Sequence, residues 1–300
     1  MITENQPVHL PILSQKNIKL FVKREDTIHP FVSGNKYRKL KYNIQQALAE
    51  NATTVITFGG AFSNHIAATA FAAKQHNLQS IGVIRGEEML LKWHENPTLQ
   101  QAHAHGMAFV FVSREVYRNK EADDFITTHC TVQGSYFVIP EGGTNELAVK
   151  GCEEILQPED QFFDIITTCV GTGGTIAGLI NSLSPQQSVL GFPALKGDFL
   201  QKDIRKFAEN NRWQLCCDYH FGGYAKVSVE LIEFMNDFKK QTQIPLDPVY
   251  TAKMMFGLLD LVARDFFKSG TRILAIHTGG LQGIAGMNKR LERKQIPQIE

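Results

Sequence analysis

The 300-residue chain is 43% hydrophobic, enough apolar material for substantial cores and too much for a disordered chain. Its 31 Lys and Arg nearly cancel 30 Asp and Glu, so no long-range positive field marks a nucleic-acid binder, although a small anionic ligand needs only local positive potential. The five cysteines, at 130, 152, 169, 216 and 217, form no CxxC or CxxH pattern and are odd in number, so reduced thiols and no metal centre are expected.

The start, MITENQPVHLPIL, lacks a basic segment followed by a secretory apolar core. No apolar run approaches the ~20 residues that span a membrane. The expectation is a cytoplasmic protein without a membrane or nucleic-acid partner. Further along, VSGNKYRKL (32–40) places Lys36 after a Gly-Asn pair at the head of a cationic helical segment. Taken alone, Lys36 reads as a solvated lysine beside Lys39 and Lys41.

Residues 53–58, TTVITF, read as a buried strand that breaks at Gly59-Gly60 before a helix over 63–76. Strands at 80–84 and 107–112 flank a helix near 96–105, and 136–139 leads into the EGGTN turn. The less periodic segment 115–135 is a candidate lid or loop. Strand 164–170 then runs into GTGGTIAGL and a helix. Apolar runs at 187–192 and 213–217 suggest strands, 225–240 and 251–268 suggest helices, and strand 272–276 ends at HTGG. This alternation predicts an α/β protein of two open, mostly parallel-sheet domains. The larger comprises 1–47 and 151–300, the smaller 48–150, with the active site in the cleft between them.

Three strand-to-helix junctions carry polar side chains. CVGTGGTIAGL (169–179) sets Gly171, Gly173 and Gly174 where a backbone can approach a phosphate, with Thr172 and Thr175 as hydroxyl donors. Ile176 stands where GxGxxG needs its third glycine, no ribose-binding acid follows near 190–195, and GxxxxGK is absent. A dinucleotide and a nucleotide P-loop are therefore both disfavoured. HTGGLQGIAG (277–286) places Thr278 at the carboxyl end of a strand, where open sheets bind ligands; its hydroxyl could meet a heteroaromatic nitrogen or merely brace the turn. In FGGAFSNHIAATA (58–70), Ser63, Asn64 and His65 gather donors at a helix start, a receptor for a carboxylate. The plain alternative is that Ser63 is an N-cap, although Ile66 leaves no capping box. The histidines form no HExxH or compact ligand set, and His103 and His105, two apart on a helix, face different ways.

Together these segments resemble the fold-type II enzymes dependent on pyridoxal 5′-phosphate, specifically the 1-aminocyclopropane-1-carboxylate deaminase and D-cysteine desulfhydrase family, over roughly residues 20–290. KREDTIHPFVSGNKYRKL is similar to the family segment that carries its Schiff-base lysine, and GGAFSNH to the one that binds the substrate carboxylate. GTGGT resembles the cofactor phosphate loop; IPEGGTN, DPVYT and HTGG extend the match. The resemblance implies a tryptophan synthase beta-like fold, a small amino-acid substrate and a homodimer. It makes Lys36 the lysine that joins the cofactor and exchanges protons. Asn64 is placed at the cofactor's phenolic oxygen, Ser63 and His65 at the substrate carboxylate, and Gly171 to Thr175 with Thr278 around the cofactor. Tyr224 in FGGYAK and Tyr250 in DPVYT match two active-site tyrosines, although core packing would also suit their rings. Lys23 and Arg24 could balance cofactor charge or pair with Glu25 and Asp26.

Two departures bear on substrate. The deaminase pattern resembles DPVYEGK and HLGG, whereas this chain has Thr251 and Thr278. Neutral hydroxyls stabilise a positive ring less than a carboxylate does, which favours elimination of a good leaving group over opening of an unactivated cyclopropane. The expected reaction is D-cysteine to pyruvate, sulfide and ammonia. The alternatives are 1-aminocyclopropane-1-carboxylate deamination to 2-oxobutyrate and a noncatalytic cofactor-binding homologue.

Overall fold

The computed structural model describes residues 1–32, 34–197 and 199–300. Its strands in chain order are β1 (Asn5–Val8), β2 (Lys19–Lys23), β3 (Thr54–Gly60), β4 (Gln79–Arg85), β5 (Met107–Val112), β6 (Tyr136–Ile139), β7 (Ile165–Val170), β8 (Ser188–Pro193), β9 (Trp213–Leu215) and β10 (Arg272–Ile276). They form two sheets, ordered β1-β2-β10-β7-β8-β9 and β5-β4-β3-β6. Only the β1–β2 pair is antiparallel among the described residues. The fold is therefore α/β with two mostly parallel sheets, and the N-terminal hairpin joins the larger one through β2 and β10.

Parallel sheets need cover on both faces, which explains why β7 and β10 read as continuous apolar or threonine runs rather than alternating ones. One face of the six-stranded sheet packs Phe192, Ala275 and Leu190 against Met254, Leu258 and Met235 from the helices Thr251–Ala263 and Val229–Thr242. The other sets Ile166, Leu274 and Ile276 against Ile176 and Ile180 of the helix Gly174–Asn181. In the four-stranded sheet the period-2 alternation of β3 splits neighbours in the same way. Val55 faces Leu40 and Ile44, while Ile56 and Phe58 face Tyr117 and Phe125.

The segment expected to be a lid or loop, 115–135, holds two short helices, Arg114–Arg118 and Phe125–His129. Tyr117, Phe125, Ile126 and Cys130 are buried against Phe58. The helix expected over 225–240 starts at Val229, because left-handed backbone at Phe221, Gly222, Gly223 and Ala225 precedes it. The helix expected to reach 268 stops at Ala263. No helix among the described residues is long and apolar enough to cross a membrane.

Lys36 is the second residue of the helix Asn35–Ala49, and the entry to that helix is held from two sides. Gly34 donates its N–H to the Glu25 carbonyl at 2.9 Å, and Asn35 donates to the Thr278 carbonyl at 3.3 Å. Gly34 has φ 63°, and a Cβ there would lie 1.9 Å from the Thr278 carbonyl oxygen. One turn beyond, Arg38 makes a two-bond pair with buried Glu25 at 2.9 Å each. The expected result for Gly34→Ala is a loss of about 3 kcal/mol from overpacking and left-handed strain. Denaturant unfolding of the cofactor-free protein measures it, with Gly106→Ala as control: that glycine also has positive φ, but its added Cβ would meet nothing within 4 Å. Equal losses at the two positions would contradict the close-packing argument.

Candidate active site

The carboxyl ends of both sheets face a cleft of about 1510 Å³. All the predicted site residues line it except Gly174, which sits behind the loop. Ser63 occupies the N-cap position of the helix Asn64–Gln75, but its side chain makes no capping hydrogen bond. The N-cap reading thus holds for the backbone only, and the hydroxyl remains available at a helix start. Asn64 reaches the turn after β10: a Cβ on Gly280 would lie 2.9 Å from its Nδ2.

His65 is 1% exposed and tied to the floor of the smaller sheet. The Thr57 hydroxyl donates to the Ile139 carbonyl at 2.8 Å and therefore accepts from His65 Nε2 at 2.8 Å. This assigns a neutral ring with its proton on Nε2 and leaves Nδ1 a buried acceptor without a partner among the described residues. Burial, with Lys36 and Lys39 nearby, drives the His65 pKa well below its ordinary value.

Lys36 and Lys39, one helical turn apart, have opposite circumstances. The Lys36 ammonium makes no hydrogen bond or ion pair among the described residues, and burial lowers its pKa. Lys39, 2% exposed, donates to the Gly142 carbonyl at 3.1 Å, Thr144 Oγ1 at 3.0 Å and Thr172 Oγ1 at 3.4 Å. Burial first and the Lys36 charge second push its pKa down to about 7. Lys39 is thus no solvated neighbour of Lys36 but a buried amine held beneath the glycine loop. Lys23 and Arg24 do not share this task. Lys23 is buried on Asp160 at 2.7 Å and Arg24 pairs with Asp26 at 2.7 Å.

The glycine loop itself is tight. Gly173 has φ 87°, and a Cβ on Gly174 would lie 3.1 Å from Lys39 Nζ and from the Thr144 side chain. Asn35 Nδ2 donates to Thr175 Oγ1 at 2.8 Å, linking the loop to the Lys36 helix. On the other flank a Cβ on Gly171 would lie 3.2 Å from the Tyr250 ring. Tyr250 meets Tyr224 edge to face, with ring centroids 6.2 Å apart. Burial raises both phenols, Tyr250 well above its usual value, so both remain protonated donors at neutral pH.

Sequence reasoning did not single out Asp247. Buried to 1% exposure, it accepts from the backbone N–H groups of Val249 (2.9 Å), Tyr250 (3.2 Å) and Thr251 (2.7 Å), and from the Thr251 hydroxyl (3.0 Å). It thereby orients the start of the helix that presents Tyr250. Thr251 is fully buried with its hydroxyl committed to Asp247, so of the two threonines only Thr278 faces the cleft. The Thr278 hydroxyl in turn meets Cys169 Sγ at 3.0 Å.

A glycine loop over a buried lysine, a second lysine whose pKa burial lowers, and a helix start with an uncommitted serine hydroxyl thus meet in one cleft. The chain belongs to the pyridoxal-phosphate dependent enzyme family, whose model matches residues 2–279. It is 34% identical to a Thermotoga maritima protein named "Putative 1-aminocyclopropane-1-carboxylate deaminase", over 93% of this chain and 94% of that one. It is 33% identical to the Arabidopsis thaliana "Bifunctional D-cysteine desulfhydrase/1-aminocyclopropane-1-carboxylate deaminase, mitochondrial", over 93% of this chain and 77% of that one. A crystal structure described as an ACC deaminase homologue superposes with a TM-score of 0.82 at 29% identity, covering 98% of this chain and 94% of that chain.

The cofactor of this family is pyridoxal phosphate, and the residues present fit it. Gly171, Thr172, Gly173 and Thr175 line the cleft at the start of a helix, with the left-handed Gly173 and the Lys39 amine beneath the loop, and these suit a phosphate dianion. In the cofactor-free protein Lys39 should leave a measurable trace. Its pKa is about 7 in the fold and 10.5 as a free side chain. Between those values the unfolded chain binds the extra proton, so stability rises with pH, by at most about 1.4 kcal/mol per pH unit. From pH 7 to 9 the cofactor-free wild type is expected to gain stability relative to Lys39→Met in denaturant unfolding. Parallel pH profiles would contradict the assignment.

Proposed function

We propose that the protein catalyses α,β-elimination on a small amino acid, with D-cysteine going to pyruvate, sulfide and ammonia. The observation that carries this reading is the neutral Thr278–Cys169 pair at the head of β10, with a Thr278 hydroxyl rather than a carboxylate facing the cleft. A hydroxyl leaves the cofactor ring less strongly protonated than an acid would. Such a ring suits expulsion of a good leaving group more than cyclopropane opening. The name of the Thermotoga relative favours the second reading, deamination of 1-aminocyclopropane-1-carboxylate.

When bound, pyridoxal phosphate supplies the electron sink for charge developing at the substrate's α carbon. The chain supplies the rest. Gly171 to Thr175 and Lys39 would hold the phosphate, Asn64 would bond the phenolic oxygen, and Lys36 would be the amine that carries the cofactor. Ser63 and the first N–H groups of its helix receive the substrate carboxylate, where the helix dipole favours an anion. Lys36, with its pKa lowered by burial, is the base that takes the α proton. The Cβ–S bond breaks with its electron pair on sulfur, and Tyr224 or Tyr250 gives the proton that lets sulfide leave. Water then converts the remaining unsaturated amine to pyruvate and ammonia. His65, neutral and fixed on Thr57, follows directly on Ser63 and Asn64 at this helix start.

The two sheet units, 1–47 with 151–300 and 48–150, are read as two domains closing on this cleft in a homodimer. A cytoplasmic setting agrees with the free thiols of Cys130, Cys152, Cys169 and Cys216. The test is a comparison of D-cysteine, L-cysteine and 1-aminocyclopropane-1-carboxylate on cofactor-loaded protein, with keto acid and sulfide followed separately. Pyruvate and sulfide from D-cysteine, reduced about 10³-fold in Lys36→Ala, are expected. Release of 2-oxobutyrate from the cyclopropane in place of these products would show the second reading to be correct.

A further inference from the structure

Arg85 is the last residue of β4, directly beside Gly60 at the end of β3. Its guanidinium is exposed to the cleft and makes no hydrogen bond or ion pair among the described residues. Two acids on the same wall of the cleft are already matched. Glu88 pairs with Arg114, and Glu141 with Lys120 at 3.4 Å. Arg85 is nonetheless held in place. It lies over the Tyr117 ring, 5.4 Å from the centroid, and its NH2 is 3.6 Å from where a Gly60 Cβ would be. Its field also reaches Tyr224, where it opposes the upward push of burial on that phenol. Tyr117 is 2% exposed, and burial first and neighbouring Glu141 second push its phenol up. This wall of the cleft therefore presents a cation without a partner among the described residues, braced on an aromatic ring.

We infer that Arg85, braced by Tyr117, is a specificity-determining anion subsite, and that the preferred substrates carry a second negative charge on the group expelled from the β carbon. The α-carboxylate already has its own receptor at Ser63 and the following helix start, so a cation beyond Gly60 serves a different anion. The volume of about 1510 Å³ leaves room for such a substituent beside cofactor and amino acid. The subsite rests on the elimination reading above. For a carboxylated thioether the balance is the same as for D-cysteine: the α proton goes to Lys36 and the Cβ–S bond breaks. The carboxylated thiol leaves with the electron pair and a proton from a tyrosine, and water completes conversion to pyruvate and ammonia.

A matched pair of compounds tests it on the cofactor-loaded protein: S-carboxymethyl-cysteine and its neutral carboxamide isostere, each as both enantiomers. Pyruvate release gives kcat/KM, and titration of the bound cofactor's absorbance gives affinity whether or not turnover follows. A charge-assisted bond to the guanidinium predicts a preference of about tenfold or more for the carboxylate. That preference should collapse to near one in Arg85→Gln and partly survive in Arg85→Lys. A ratio near one in the wild type, or a preference that Arg85→Gln leaves intact, would overturn the subsite. A clear preference in titration without pyruvate from any thioether would uphold the subsite while removing the elimination reading.

Discussion

The site depends on one contact in which there is no room for a side chain: Gly34 against the turn that follows β10. The Thr278 carbonyl oxygen occupies the place of a Cβ on Gly34, so the Lys36 helix starts directly on the end of the larger sheet. The same residue, Thr278, sends its hydroxyl to Cys169 on β7. Lysine, threonine and glycine loop are thereby set by a single backbone junction. The strand ends of a parallel sheet converge on the carboxyl edge, and the Gly34 contact brings an amine from outside the sheet onto that edge.

Two lysines one turn apart then perform different tasks because their surroundings differ. Lys39 is surrounded by oxygen acceptors and positioned under the loop, and Lys36 has none. Burial lowers the pKa of both, and the Lys36 charge lowers that of Lys39 further. A phosphate dianion in the cradle would stabilise the Lys39 charge without supplying a partner to Lys36. The cofactor's own charge thus separates the roles further.

Much of this was legible in the sequence because the carboxyl edges of parallel strands are punctuated by glycine. Strands 107–112, 136–139 and 272–276 lie where their apolar runs end, and GGAFSNH, GTGGT and HTGG mark three junctions that meet in one cleft. Part of what sequence did not reveal depends on partners distant along the chain. Lys39 looks like a surface lysine until Gly142, Thr144 and Thr172, over a hundred residues away, close around it. Asp247 hides in a DPVYT turn, where aspartate before proline reads as loop chemistry rather than as the acceptor that orders Tyr250. Lys23 and Arg24 looked like candidates for cofactor charge, but their partners Asp160 and Asp26 remove them from the cleft. Segment 115–135 lacks a clean period because its helices are only five residues each, yet Tyr117 and Phe125 anchor it to β3.

The central claim is that Lys36, not Lys39, carries the cofactor. Borohydride reduction of the cofactor-loaded protein followed by peptide mass mapping tests it most directly. The account predicts a pyridoxyl-phosphate adduct on Lys36 and an unmodified Lys39. An adduct on Lys39, or a loaded protein whose Lys36 remains unmodified after reduction, would contradict it.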